Sequence, residues 1–159
     1  MPTSLLLDPE TAFTLGGRLA MIGWLALAAS PYRSHWAARA RWFAGRLVPG
    51  LLALAYVALF AATGMADGGF DSLAAVGRLF DVPALLAAGW LHFLAFDLFV
   101  GAWIAERAGT LGVPHLLILP VLVLTFLFGP AGLLAYAVMR AGWRPRHASV
   151  HFNHGAETP

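Results

Sequence analysis

The sequence predicts an all-α integral membrane protein whose fold is a bundle of four transmembrane helices. Of its 159 residues, 60% are hydrophobic and only 11% are charged, whereas soluble domains carry roughly 25% charged residues. Four apolar stretches are also long enough to cross a bilayer core of roughly 30 Å, for which a helix needs about 20 residues. These stretches are apolar on all sides and lack the alternation of membrane-barrel strands. We therefore expect lipid to cover much of the protein.

The four predicted spans follow one another within residues 1–141, and a polar tail occupies 142–159. Each span is bounded by proline, glycine or charged residues. In the fourth span Gly129 precedes Pro130, and because proline removes a backbone donor and clashes with the preceding turn, we expect this helix to be kinked at Pro130. We expect the tail to be mobile. The spans lie at about 11–29, 47–64, 83–105 and 113–139.

The arginines indicate how the chain is oriented. All ten basic residues are arginines, which together with abundant Ala and Gly is typical of a GC-rich genome. We expect the protein to lie in a bacterial inner (cytoplasmic) membrane. The positive-inside rule places the arginine-rich connection between the first two spans in the cytoplasm, and four spans then place both termini outside. Arg140, Arg144 and Arg146 follow the fourth span and oppose that placement. The arginines of the first connection are Arg33, Arg39, Arg41 and Arg46.

The composition excludes several kinds of site. Without cysteine there is no disulfide and no thiolate site, and we predict no metal or other cofactor. His147, His151 and His154 in the tail are spaced like one helical face, but a polar tail is preferred there to a transition-metal site. A net charge of +2 is too small to indicate a nucleic-acid partner.

Three polar residues within the predicted spans stand out: Arg18 in the first span, and His92 and Asp97 in the third. An Asp or Arg at mid-bilayer costs about 2.5–3.5 kcal/mol on insertion scales. One interpretation is structural, with Arg18 neutralising or hydrogen-bonding Asp97, and the other is a functional site. His92 and Asp97 are five residues apart, so roughly 140° separates them on a straight helix. They could face a cavity between helices from its two sides, but they do not easily chelate one ion.

An aromatic stripe accompanies His92 on the third span. Phe96, Phe99 and Trp103 share its helix face, and for this stripe packing is preferred to a cofactor site. Gly101, one turn after the carboxylate, is expected to let another helix or a ligand approach closely.

His115 begins the fourth span near the level of Glu106, so this pair forms either an interfacial hydrogen bond or the mouth of a site. Haem ligation by two histidines needs both at similar depth. Because His92 lies near the middle of its span and His115 near one end, haem is disfavoured.

Several short strings of the third and fourth spans, with one at the start of the first span, form a recognisable set. They are Ala-Phe-Thr at 12–14, Gly-Arg-Leu-Phe at 77–80, Trp-x-His-x4-Asp-Leu-Phe at 90–99, His115, and Leu-Phe-Gly-Pro-Ala-Gly at 127–132.

This set resembles the ABA-deficient-four-like family, which includes a plant plastid membrane protein required to make neoxanthin. The resemblance covers most of the chain from the first to the fourth span. It implies a carotenoid (xanthophyll) as substrate or ligand, held within or across the bilayer. In the plant pathway violaxanthin becomes neoxanthin without net redox change, because one epoxide opens and an adjacent proton leaves. The resemblance thus implies a carotenoid isomerase.

Such a rearrangement needs an acid for the epoxide oxygen and a base for the departing proton. Asp97 is the expected acid, because apolar surroundings favour a protonated carboxyl, and His92 is the expected base. The alternative is a protein that binds a carotenoid or other pigment, or a scaffold subunit of a membrane complex, without catalysis; partner proteins are unknown. The side chains expected to line the polyene are Trp90, Phe96, Phe99, Trp103 and Phe126.

Overall fold

The computed structural model describes residues 8–143, which form α-helices and one π-helical segment and, within that range, no strand. Three helical stretches are long and apolar enough to cross a membrane: Pro9–Ala28, Ala37–Thr63 and Pro83–Thr110. The first three predicted spans are therefore confirmed, and the predicted histidine tail lies outside the described residues. The helices are α1 (Pro9–Ala28), α2 (Ala37–Trp42), α3 (Val48–Thr63), α4 (Leu73–Phe80), α5 (Pro83–Thr110), α6 (His115–Phe128) and α7 (Pro130–Gly142), and the π segment Phe43–Leu47 joins α2 to α3.

Helix α5 lies at the centre of the bundle, in contact with α1, α3, the π segment, α6 and α7. Half of its apolar stretch is buried (50%), against 33% for α1 and for Ala37–Thr63. Small residues bring the helices together, since the ring of Trp24 lies against Gly101 and a Cβ on Gly23 would lie 2.6 Å from Leu98 Cδ2. The close approach predicted at Gly101 is thus confirmed, and it is made by a helix. Such close contacts stabilise helix association in lipid.

The fourth predicted span is wrong in its form. Instead of one helix kinked at Pro130, α6 and α7 are two helices that pack against each other. The indole Nε1 of Trp143, just after α7, donates to the carbonyl oxygen of Leu111, just before α6, at 3.1 Å. One continuous helix would separate these two residues by about 48 Å, at 1.5 Å per residue. The segment is therefore a hairpin, called here the α6–α7 hairpin, whose two ends lie at the same face of the bundle.

The reversal has a local cause at Gly129. This residue has φ 26° and ψ −85°, which is not helical and which side chains rarely tolerate. Pro130, the first residue of α7, has no N–H to continue the ladder of α6. Gly132 then lets the backbone of α7 pass against that of Thr125, where a Cβ would not fit. With 14 and 13 residues, each helix is shorter than the roughly 20 residues that a span requires.

The helix ends of one face are tied together by hydrogen bonds. His115 Nε2 lies 2.7 Å from the carbonyl oxygen of Ala28, so the start of α6 adjoins the end of α1. With the Trp143–Leu111 bond, this places the ends of α1, α5 and α7 beside the first connection. Residue 143 therefore lies at the same face as that connection, which corrects the expected placement of the C-terminal end. We call it the arginine face, because it carries Arg33, Arg39, Arg41, Arg46, Arg107 and Arg140.

The opposite face carries two capped helix N-termini. The N–H and hydroxyl of Thr11 donate to Asp8 Oδ2 at 2.9 and 2.8 Å, and these bonds lower the pKa of Asp8. Ser72 Oγ accepts from the N–H of Ala75 at 3.2 Å and caps α4. Such side-chain acceptors bond backbone N–H groups that have no carbonyl partner in the first turn of a helix. We call this the acidic face, since its charged residues are Asp8, Glu10, Asp67, Asp71, Asp81 and Arg78.

Candidate functional site

The Asp97 carboxyl lies in the middle of α5 and faces the reversal of the α6–α7 hairpin. Its residue is 9% exposed, and a Cβ on Gly129 would collide with its carboxyl oxygens. Among the described residues, Asp97 Oδ2 has no hydrogen-bond partner. Because a buried polar atom without a partner carries a desolvation cost of about 1–3 kcal/mol or more, this atom is the kind of group that a ligand or a reaction would use.

The helix ends at Gly129 shape the surroundings of that carboxyl. The C-terminal end of α6 and the N-terminal end of α7 meet there, at the level of Asp97. Broken helices at membrane depth are found where their backbone groups face protein or a cavity, and in transporters such ends form binding sites. Thr125 does not contribute its hydroxyl, because Thr125 Oγ1 donates to the carbonyl oxygen of Val121 at 2.8 Å.

A second buried polar group, Tyr136, lies two turns after Gly129 on the same side of α7. Tyr136 is 1% exposed, and its hydroxyl has no hydrogen-bond partner among the described residues. Its ring packs edge-on against Trp103 of α5, with centroids 5.6 Å apart. The interior between α5 and α7 thus contains two unsatisfied oxygens.

His92 faces another part of the bundle. It is exposed, and its ring lies 4.6 Å from that of Phe96 and 5.7 Å from that of Tyr56 on α3. Asp97 points instead at Gly129, so the two predicted catalytic side chains have different neighbours. The structure does not bring them together, and their pairing stays a prediction.

Arg18 does not neutralise Asp97. Arg18 is exposed on α1, and among residues 8–143 the Oδ2 atom of Asp97 has no hydrogen-bond partner. An arginine on α1 leans towards the N-terminus of that helix, which lies at the acidic face. Its long side chain can therefore carry the charge towards the membrane surface.

The aromatic side chains predicted to hold a polyene are distributed over separate grooves. Trp90 packs against Phe13 with tilted rings, whose centroids are 5.5 Å apart, in a groove of about 300 Å³ at the acidic face. Phe99 and Trp103 line a groove of about 120 Å³ near the arginine face. Phe126 lines a third groove, of about 200 Å³, between α1 and α6. Phe96 is 58% exposed, so these residues do not form one continuous site in the structure.

Glu106 and His115, predicted to act as a pair, have different neighbours in the structure. His115 bonds the end of α1, whereas Glu106 is exposed and lines the groove of Phe99 and Trp103. Within residues 8–143, no three histidine, cysteine or carboxylate side chains cluster as metal ligands would. His115 therefore fixes the α6–α7 hairpin to α1.

The comparison with protein families decides the identity. A family model described as ABA DEFICIENT 4-like matches residues 11–136, about four fifths of the chain. The chain belongs to this family. No curated protein and no solved structure matches it. This ABA DEFICIENT 4-like protein is thereby related to membrane proteins of carotenoid (xanthophyll) metabolism, and the predicted resemblance is confirmed.

The matched range of this ABA DEFICIENT 4-like protein ends at Tyr136, so it includes Asp97, the reversal at Gly129 and the buried phenol. Tyr136 was missed by sequence reasoning, because a single tyrosine among apolar residues gives no spacing signal. Only its position seven residues after Gly129 hinted that it shares a helix side with the break.

Proposed function

We propose that this protein promotes the rearrangement of a carotenoid end group, of the kind that converts violaxanthin to neoxanthin. An epoxide carbon–oxygen bond breaks, the oxygen gains a proton, and an adjacent carbon loses one, so the product is an isomer of the substrate. The observation that carries the proposal is the buried, unsatisfied Asp97 carboxyl beside the helix reversal, inside the range matched by the family.

Two assignments of the acid and the base conserve protons. In the first, protonated Asp97 gives its proton to the epoxide oxygen and His92 takes the carbon-bound proton. In the second, the Tyr136 hydroxyl gives the proton and the Asp97 carboxylate takes the other. The first requires one end group to reach two side chains roughly 140° apart around α5, whereas the second uses two buried side chains, one on α5 and one on α7. We propose the second, because the oxygens of Asp97 and Tyr136 are buried without a partner among the described residues, whereas His92 is exposed.

The proposal is tested by expressing the protein in a host that makes epoxy-carotenoids and, separately, in one that makes only non-epoxy carotenoids. We expect a new carotenoid of unchanged mass in the first host and none in the second. Wild-type protein that accumulates in folded form, yet leaves the epoxy-carotenoids unchanged, would contradict an isomerase.

A carotenoid-binding protein without catalysis is the second candidate, and one groove favours it. Helices α1 and α3 enclose about 410 Å³ of almost wholly apolar space, lined on α3 by Leu51, Ala55 and Ala58 among others. An apolar groove of this kind suits a polyene rather than a polar substrate.

This candidate predicts that purified protein carries carotenoid absorption bands and that Ala58→Phe, which fills the groove, removes them. Ala53→Phe is the matched control, because Ala53 is also exposed on α3 but does not line the groove. Equal pigment in the two variants would exclude this groove as the binding site.

A further inference from the structure

Arg41 of α2 and Arg46 of the π segment line one groove. Arg41 and Arg46 are five residues apart, which on an α-helix would turn them roughly 140° from each other. The chain between them is not one regular α-helix, because α2 ends at Trp42 and the N–H of Val48 then bonds the carbonyl oxygen of Phe43, an i→i+5 bond. Both arginines line the same groove of about 120 Å³ between this segment and α5. Positive charge is thus concentrated at one place on the arginine face.

Two contacts hold this groove in shape. Its floor is narrow because a Cβ on Gly45 would lie only 2.8 Å from that of Ala102. The guanidinium Cζ of Arg41 lies 4.7 Å from the centroid of the Tyr32 ring, and that ring in turn packs against Gly109. A cation held over an aromatic face keeps a defined position. Arg41 is therefore positioned in advance rather than free to rotate in solvent.

The remaining wall of the groove combines apolar and acidic character. Phe99 and Trp103 provide aromatic surface, and Phe99 is 51% exposed. Glu106 also lines the groove, so two arginines and one carboxylate leave a net charge of +1. A ligand that complements this wall has one negative charge and an apolar part that follows α5 into the membrane.

We propose that this groove binds an anionic glycerophospholipid, with its phosphate between Arg41 and Arg46 and an acyl chain along Phe99 and Trp103. Arginine matches phosphate oxygens with charge-assisted hydrogen bonds, and basic pockets between membrane helices bind lipid head groups. A water-soluble anion would leave the aromatic wall unused. The inference does not depend on the carotenoid proposal.

The test is lipid retention by the full chain in detergent, measured by native mass spectrometry during titration with phosphatidylglycerol or with phosphatidylcholine of the same acyl chains. Each variant loses a charged donor to the phosphate, so we expect Arg41→Gln and Arg46→Gln each to weaken phosphatidylglycerol binding about tenfold or more. Arg39→Gln is the matched control, since Arg39 is exposed on α2 outside the groove, and we expect at most a small change. Glu106→Gln is expected to strengthen binding.

Two results would overturn the proposal. If Arg39→Gln weakens binding as much as the two groove variants, the attraction is diffuse and the groove is not a site. If phosphatidylcholine binds as tightly as phosphatidylglycerol, the net charge does not select the lipid. If Arg41→Gln fails to fold after losing its contact with Tyr32, the lipid binding of Arg46→Gln alone decides the test.

Discussion

Asp97 and Arg18 are both ionisable residues within membrane-spanning helices, but their surroundings differ. Asp97 is buried against Gly129 with an unsatisfied oxygen, whereas Arg18 is exposed. Burial without a partner is costly and is retained where a group is used. The carboxyl is therefore the functional candidate of the two, and the arginine is a residue that the surface of α1 tolerates.

The two assignments of acid and base predict different outcomes for two conservative variants. His92→Phe keeps a ring beside Tyr56 and Phe96, and we expect it to retain carotenoid conversion. Tyr136→Phe removes only the hydroxyl and is expected to lower conversion per folded molecule by the order of 10²–10⁴-fold, as for a proton-transfer group. Product analysis of both variants, normalised to folded protein, measures this. If His92→Phe instead loses conversion and Tyr136→Phe retains it, His92 is the base and Asp97 the acid.

Arg18→Leu is expected to leave the protein intact. Because Arg18 makes no hydrogen bond to Asp97 Oδ2 and is exposed, we expect stability to change by no more than roughly 0.5 kcal/mol, as for most exposed positions. The thermal midpoint in detergent and the carotenoid profile report the result. Loss of accumulation would instead support the ion pair that the sequence first suggested.

At the scale of elements, the α6–α7 hairpin decides where the site lies. The hairpin places the start of α7 against α5 at mid-depth and returns the chain to the arginine face. The chain reverses at Gly129. Its φ of 26° and its direct contact with Asp97 together exclude a side chain at this position.

Gly129→Ala is therefore expected to destabilise the protein by about 1–3 kcal/mol, the usual cost of backbone strain. Gly50→Ala is the control, since Gly50 is helical and exposed and has open space around it, and alanine there is expected to be neutral or slightly stabilising. Thermal midpoints in detergent compare the two. Equal midpoints would mean that the reversal does not depend on Gly129.

The sequence located the spans but not the hairpin, for a physical reason. Apolar runs determine where helices cross a membrane, and the first three agree with the structure within a few residues, except that helix also extends over 37–47 and 106–110. A Gly-Pro step in an apolar run predicts a kink or a reversal equally well. The choice depends on distant contacts, such as Trp143 with Leu111, which have no local signature. Asp97 was found because an acid in an apolar run is conspicuous.

At the scale of the whole molecule, the hairpin explains the distribution of charge. Six described arginines lie on the arginine face, and Arg78 accompanies five carboxylates on the acidic face. With a fourth span, Arg140 would lie with the acidic groups. With the hairpin, the positive-inside rule is satisfied by one orientation, in which the arginine face is cytoplasmic.

Reporter fusions test this orientation. A reporter inserted after Ser34 and one fused after Pro159 are expected to report the cytoplasm, and one inserted after Gly69 the opposite side. If the Pro159 fusion reports the same side as Gly69, the chain crosses the membrane a fourth time and the hairpin is wrong.

The most direct measurement is carotenoid product per folded molecule for wild type and Asp97→Asn in the epoxy-carotenoid host. Asparagine keeps the size of the side chain but neither delivers nor accepts the proton that the rearrangement moves. We predict that the variant accumulates like wild type and converts the order of 10²–10⁴-fold less carotenoid. Equal conversion by the two proteins would contradict the central role of Asp97.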